Sequence, residues 1–475
     1  MVTTRYNVVA ICLDTFRADF VLGQAPWTAD LPVLTRLRGE SLVCREAFGE
    51  GFATIPMRRA YFTGEPSFPW RYALDTRGMW PTGRGWHKIP PKQDTLAEVL
   101  LDAGYATGLV ADTYHMFKPT MNFTRGFASY DFVRGYESDN WRSGEVTEAE
   151  LRPYVREPAR PEDHPILVQH LLNARGRSQE SEWSAARVFD RAAAWVGEQP
   201  RHRPFFLWVD SFSPHEPWDP PARFVEQYAP QYRGTRFIYP ISGPQDFTAE
   251  EASWIRAAYR GYLSFVDERL SRLLAVLDRP GLRERTIVVV LSDHGTELGE
   301  HGRFSKTASH LFAHNTRLLW MMRHPDMPAS TYDGFVQSVD LAPTLCDMLG
   351  LPRIGSGESL WPTLQGREGR TGRDHVISGW GSYASVRDQN WNYLVNFEDP
   401  GEREALYHVA VDPGEQTDVL DSERQEAARL RRRLETLLDQ ELPARLSDEV
   451  QPGVAPIRRL LGAKRATVGK DSGFV

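Results

Sequence analysis

The chain has 475 residues, 41% of them hydrophobic and 25% charged, with a formal net charge of −7. That length exceeds one compact domain and predicts a large domain plus a smaller one. The acidic balance gives no basic footprint for nucleic acid, and no apolar run approaches the roughly 18–20 residues that span a bilayer.

Residues 1–5 lead straight into a strand-like run, so no leader peptide is expected. "YNVVAICL" (6–13) is a short run of β-formers ending at Asp14 and reads as a buried parallel strand. "TLAEVLLDAGY" (95–105) has helical spacing and is followed by the strand "ATGLVAD" (106–112). "SEWSAARVFDRAAAWVGEQ" predicts a helix before the strand "PFFLWVD" (204–210), and 249–279 a long helix before "TIVVVLSD" (286–293). "VDLAPTLCDMLGL" predicts one more helix. Helices alternating with buried strands predict an α/β domain over 1–370, helices sandwiching a mostly parallel sheet. The stretch 113–180 lacks periodic pattern and reads as an insertion or a lid. Beyond residue 370 the pattern changes to short alternating strands followed by the charged helix "SERQEAARLRRRLETLLDQEL". This predicts a small antiparallel α+β subdomain over 371–446 and a polar tail over 447–475. Cys12, Cys44 and Cys346 lie far apart without metal spacing, which predicts reduced core residues in a cytoplasmic protein.

In open α/β sheets ligands bind outside the C-terminal ends of the strands. Asp14, Asp210 (with His215 just beyond it) and Asp293-His294-Gly295 all fall at such ends, and Thr54 begins a helix in "GFATIPMRRAYFTGE". Oxygen and imidazole donors suit Mg, Mn or Zn, and the histidine favours Mn or Zn over Ca. Coordination would lower the pKa of the Thr54 hydroxyl and make it a nucleophile. The helix N-terminus and Arg58, one turn in, would hold an anion. Each residue alone has a blander reading as a cap, a turn residue or a solvated charge; their joint occurrence carries the functional one.

The sequence resembles the sulfatase family of the alkaline phosphatase superfamily. "NVVAICLDTFRADFVLG" is similar to the first strand and its metal-binding Asp. "TIPMRRAYFTG" has the spacing C/S-x-P-x-R-x4-TG. "SPHEPWDPP", "LSDHGTELGEHGRFSK" and "ALYHVAVDPGEQTDVL" resemble three further family segments in family order. The resemblance implies an alkaline-phosphatase-like fold. It also implies metal ligation by Asp14, Asp293 and His294 beside Thr54, the motif arginine Arg58, an active-site His215, and Lys306 on the anion or leaving group. A dimer or tetramer is a further expectation from the family.

Four departures shape the expected chemistry. Thr54 stands where sulfatases convert Cys or Ser to formylglycine, so no formylglycine is expected. His294 stands where many sulfatases have Asn, as in the phosphonate monoester hydrolase and phosphodiesterase branch. Thr15 replaces a second Asp, which weakens a Ca site. "ADTYH" (111–115) replaces a Lys-bearing segment, putting Asp112, Tyr114 or His115 in that neighbourhood. The leading expectation is a hydrolase of phosphodiesters or phosphonate monoesters using one divalent metal and Thr54. A sulfate-ester hydrolase without formylglycine, and a catalytically silent sulfatase-like binding protein, are the rivals. The expected partner is a small anionic ester, not nucleic acid or membrane. Trp80 and Trp86 in "GMWPTGRGWHKIP" are expected near the pocket. Asp210, His215, His310 and His314 are available should a second metal bind.

Overall fold

The computed structural model describes residues 6–70, 83–118, 121–240, 246–366 and 372–442. Its strands in chain order are β1 Asn7–Leu13, β2 Leu42–Phe48, β3 Ala106–Ala111, β4 Ser129–Phe132, β5 Phe205–Ser211 and β6 Thr286–Ser292. They continue with the short pair β7 Glu297–Leu298 and β8 Phe304–Ser305, then β9 Trp320–Arg323 and β10 Ser330–Gln337. The last four are β11 Val376–Trp380, β12 Tyr383–Arg387, β13 Asn392–Asn396 and β14 Glu404–Tyr407. Eight of them form one sheet in the order β10-β2-β9-β6-β1-β5-β3-β4. It is parallel except for β9, which runs antiparallel to both β2 and β6.

Alternation along β1 divides the core into two layers. Val9, Ile11 and Leu13 face one side, packed with the helices Ser184–Glu198 and Ala249–Leu277. Val8, Ala10 and Cys12 face the other, with the helices Thr54–Thr63, Leu96–Asp102 and Leu341–Leu349. Strand side chains project to opposite faces with a period of two, so an apolar run without polar interruption needs cover on both. The 29-residue helix starts where Thr248 and Glu251 cap each other reciprocally.

Segment 113–180 contains elements its pattern did not announce. β4 forms an edge of the sheet, the helix Pro165–Ala174 follows, and Val133, Tyr136, Leu151, Leu167 and Leu172 are buried in the first core layer. The C-terminal strands form an antiparallel sheet, β11-β12-β13-β14. The helix Arg424–Leu438 turns Ala427, Leu430 and Leu434 inward into a separate core with Val386 and Tyr393. This sheet abuts the segment just before Thr54: the Phe52 N–H donates to the Gly379 carbonyl at 2.9 Å, and the Gly379 N–H to the Glu50 carbonyl at 2.9 Å. Cys12, Cys44 and Cys346 are buried and unpaired. Among the described residues no helix is long and apolar enough to cross a membrane.

Candidate active site

Three neighbouring strands deliver three carboxylates to one place. β1 pairs in register with β5 (Cys12 with Asp210) and with β6 (Leu13 with Ser292). Asp14 and Asp293 each follow the last residue of their strand, and Asp210 sits at the end of β5. Ala10 and Cys12, Phe206 and Trp208, and Val289 and Leu291 all belong to the second core layer. Period-two alternation places Asp14, Asp210 and Asp293 on that same side. The helix Thr54–Thr63 packs there, all ten of its residues buried.

Arg58 is the charge that this geometry requires. Its guanidinium lies 2.9 Å from Asp14 Oδ2, donates to Asp210 from Nε and Nη2 (2.8 Å for the latter), and contacts Asp293 Oδ2. All four side chains are fully buried. The Trp208 indole N–H (2.9 Å) and the Thr113 hydroxyl also donate to Asp210. Thr15, in a left-handed backbone conformation (φ 58°), donates its N–H to Asp293 Oδ1 at 2.9 Å and its hydroxyl to Asp14 Oδ1 at 2.7 Å. The residue that departs from the family pattern therefore ties the two carboxylates together.

Burial, then the neighbouring Asp293 charge, pushes the Asp14 carboxyl well above its usual range. Burial opposes ionisation of Asp293 as well, but His294 and Arg58 outweigh it and hold that carboxyl low. Burial and like charge thus work against two ionised carboxylates side by side here. Burial lowers the His294 pKa, against the pull of Asp293. Its Nδ1 donates to the Gly295 carbonyl at 2.9 Å, which leaves Nε2 as a lone pair 3.4 Å from Asp293 Oδ2 and 3.9 Å from Asp14 Oδ1. That buried Nε2 has no hydrogen-bond partner among the described residues. The donor atoms of Asp14, Asp293 and His294 lie within 4.8 Å of one another. A charge-starved carboxylate pair and an orphaned imidazole nitrogen fit a divalent cation. Gly295 cannot be replaced: a Cβ there would meet the His314 carbonyl oxygen at 1.9 Å.

Thr54 occupies the first position of its helix, buried, and makes no capping bond with its side chain. Lys306 follows β8 and is 1% exposed, with Nζ 2.5 Å from Glu216 Oε2; the Ser305 hydroxyl donates to Glu216 Oε1 at 2.7 Å. His215 Nδ1 donates to the Glu216 carbonyl at 2.6 Å, and its ring stacks on Phe212 at 4.4 Å. Burial, then the Lys306 charge, lowers His215 to about 3. The ring is neutral and its Nε2 is an acceptor. Glu216 is lowered to about 2: burial resists, but Lys306 and then His215 prevail. Glu216 was not singled out in the sequence; its position beside His215 was the available signal.

The other expected pocket residues divide. His115 is buried between Tyr114 (3.9 Å), Trp86 (5.0 Å, edge-on) and Phe212 (5.7 Å). Burial lowers its pKa first, followed by Lys118 and His215, so it stays neutral. Arg59 holds the Trp86 loop by donating to the Gly85 and His87 carbonyls at 2.7 and 2.9 Å. Asp112 and Tyr114 are engaged elsewhere: Asp112 Oδ1 accepts the Phe212 N–H at 2.6 Å, and the Tyr114 hydroxyl bonds Glu137 Oε2 at 2.6 Å. Trp80 and the tail 447–475 lie outside the described residues. His310 and His314 do not join Asp14; they turn toward Glu297.

The Sulfatase family profile matches residues 6–351, and that of the N-sulphoglucosamine sulphohydrolase C-terminal region matches 299–441. The chain belongs to the Sulfatase family, within the alkaline phosphatase superfamily of hydrolases. The multifunctional alkaline phosphatase superfamily protein PehA of Trinickia caryophylli is 26% identical over 76% of this chain and 77% of its own length. Arylsulfatase K of Rattus norvegicus is 22% identical over 87% of this chain and 74% of its own. The crystal structure of the phosphonate monoester hydrolase of Agrobacterium radiobacter superposes with a TM-score of 0.68 at 21% identity, covering 92% of this chain and 96% of that one. This last likeness establishes the mostly parallel sheet with helices and its small antiparallel companion as an alkaline-phosphatase-like fold.

Proposed function

We propose that the protein hydrolyses phosphodiesters or phosphonate monoesters, with Thr54 as nucleophile. The observation that carries this reading is the hydroxyl at position 54, at the tip of a buried helix whose Arg58 pairs with Asp14, Asp210 and Asp293. Oxidation of a threonine side chain yields a ketone, not the aldehyde whose hydrate lets a sulfatase release sulfate by C–O cleavage. A phosphoryl group on Thr54 can instead leave by attack of water at phosphorus. Asp14, Asp293 and His294 would hold a divalent cation, which supplies the Lewis acidity that makes a hydroxyl nucleophilic at neutral pH. Manganese or zinc suits this mixed oxygen and nitrogen donor set better than calcium.

The chain's own residues then have separable tasks. Thr54, its hydroxyl proton passed to solvent, forms the new P–O bond as the P–O bond to the ester oxygen breaks. Lys306, paired with Glu216, donates the proton that oxygen needs. The neutral His215, its Nε2 free to accept, takes a proton from the water that cleaves the phospho-Thr54 bond. Arg58 neutralises Asp14, Asp210 and Asp293 behind the helix tip. His115 and Trp86 pack beside Phe212 and His215 and would flank the bound ester.

A sulfate ester is the second reading, favoured by the similarity to arylsulfatase K across 87% of the chain. Matched p-nitrophenyl esters (phosphodiester, phosphonate, phosphate monoester and sulfate), offered to the Mn- or Zn-loaded protein, separate the two. The expected outcome is fastest turnover of the diester or phosphonate. Fastest turnover of the sulfate would establish the second reading, and no turnover by metal-loaded protein would make it a binding protein.

Lys306→Met is expected to lower kcat/KM by about 10²–10⁴ on esters with poor leaving groups, and much less on nitrophenyl esters. A leaving-group series measures this. An equal loss across the series would assign Lys306 to positioning Glu216 instead.

A further inference from the structure

A second cluster of ligating side chains lies apart from the carboxylates of the candidate active site. Glu297 is fully buried on β7 and is surrounded by three histidines. His310 Nδ1 stands 2.9 Å from Glu297 Oε1, His314 Nε2 at 3.5 Å and His301 Nδ1 at 3.6 Å. The donor atoms of Glu297, His301 and His310 lie within 4.8 Å of one another. His301 Nε2 is 2.9 Å from the Glu415 carbonyl. A carbonyl only accepts, so Nε2 carries a proton, and in the neutral form of the ring Nδ1 turns a lone pair toward the carboxylate. His314 Nε2, on a side chain 10% exposed, is buried and has no hydrogen-bond partner among the described residues.

Lone pairs converging on a carboxylate repel it unless a cation stands between them. A neutral His310 can donate its Nδ1–H to Glu297 at 2.9 Å, but His301 Nδ1 and His314 Nε2 have no hydrogen-bond partner among the described residues. One divalent ion with three neutral imidazoles leaves +1 and satisfies every donor. The His301–Glu415 bond is the outer partner that fixes ring orientation in metal sites.

We propose that Glu297, His301 and His310 form a structural zinc site that His314, its Nε2 3.5 Å from Glu297, completes as fourth ligand when the ion binds. Three imidazole nitrogens and one carboxylate oxygen suit zinc, and four protein donors close the site against a reacting water. The ion would fasten the β7–β8 pair to the turn at 310–314 and, through His301, to the C-terminal subdomain. Lys306 immediately follows β8, so the site would steady the lysine that faces Glu216.

Full-length crystals soaked in zinc and measured at the zinc edge test this directly. An anomalous peak is expected about 2.0–2.2 Å from Glu297 and at least two of the three histidines. Its absence at saturating zinc would overturn the proposal. In solution, the chelator-stripped chain should regain one fewer equivalent of zinc in Glu297→Gln/His310→Gln than in wild type, while Asp14→Asn keeps this equivalent. Equal zinc content in the folded double variant, checked by circular dichroism, would also overturn it.

Discussion

Thr54→Ala is expected to lower kcat on the best ester by at least about 10³-fold while leaving the fold intact. The loss follows from removing the only atom at the helix tip that can form a covalent bond to the substrate. Stability should change little: the residue preceding the helix is Ala53, and no side-chain cap bond is made there among the described residues. A change of about 1 kcal/mol or less is the ordinary result of such a truncation. Thr54→Ser keeps the hydroxyl and should retain most of the rate. Acid quenching during turnover of a slow ester should leave a phosphoryl group on the peptide containing Thr54. Undiminished turnover in folded Thr54→Ala would remove Thr54 from the chemistry altogether.

The second large effect is on stability. Arg58→Met keeps much of the side-chain volume and removes the guanidinium from among Asp14, Asp210 and Asp293. Stranding a buried charge by deleting its partner costs about 3–5 kcal/mol. The apparent Tm of the metal-free variant should therefore fall, and saturating Mn or Zn should restore part of the loss by replacing a positive charge. The pH dependence has a definite sign. In the wild type Asp293 is held low, so its contribution is present above the unfolded carboxylate range and is lost as pH falls through the folded value. Without Arg58 that contribution shrinks, and the gap between variant and wild type should narrow on acidification. Thermal melts at several pH values, with and without metal, measure this. An unchanged Tm at neutral pH would show that the carboxylates hold protons in the native chain.

The parts of the fold that were legible in the sequence are those where local chemistry and burial agree. β1, β3, β5 and β6 are apolar runs because both faces are covered, and each ends at or near a residue with a polar task. β2 and β10 escaped the reading because solvent-facing positions interrupt them, Arg45 in β2 and Asp333 in β10. The elements of 113–180 are short, and their apolar residues are spaced by loops, so burial there is a property of packing and not of period.

The sequence by itself determined the chemical types and their local settings: Asp14, Asp293 and His294 just past strands, Thr54 and Arg58 in the first turns of a helix. Only the tertiary structure decided their partners. Strand register aligns Asp210 with Cys12 and brings three carboxylates to one guanidinium, a pairing across 152 and 235 residues of chain that no local signal encodes. It also sent His310 and His314 to Glu297 instead of to Asp14, and gave Lys306 to Glu216. Charges taken out of water must find compensation within a few ångströms, and which charges come that close is fixed by how the chain packs.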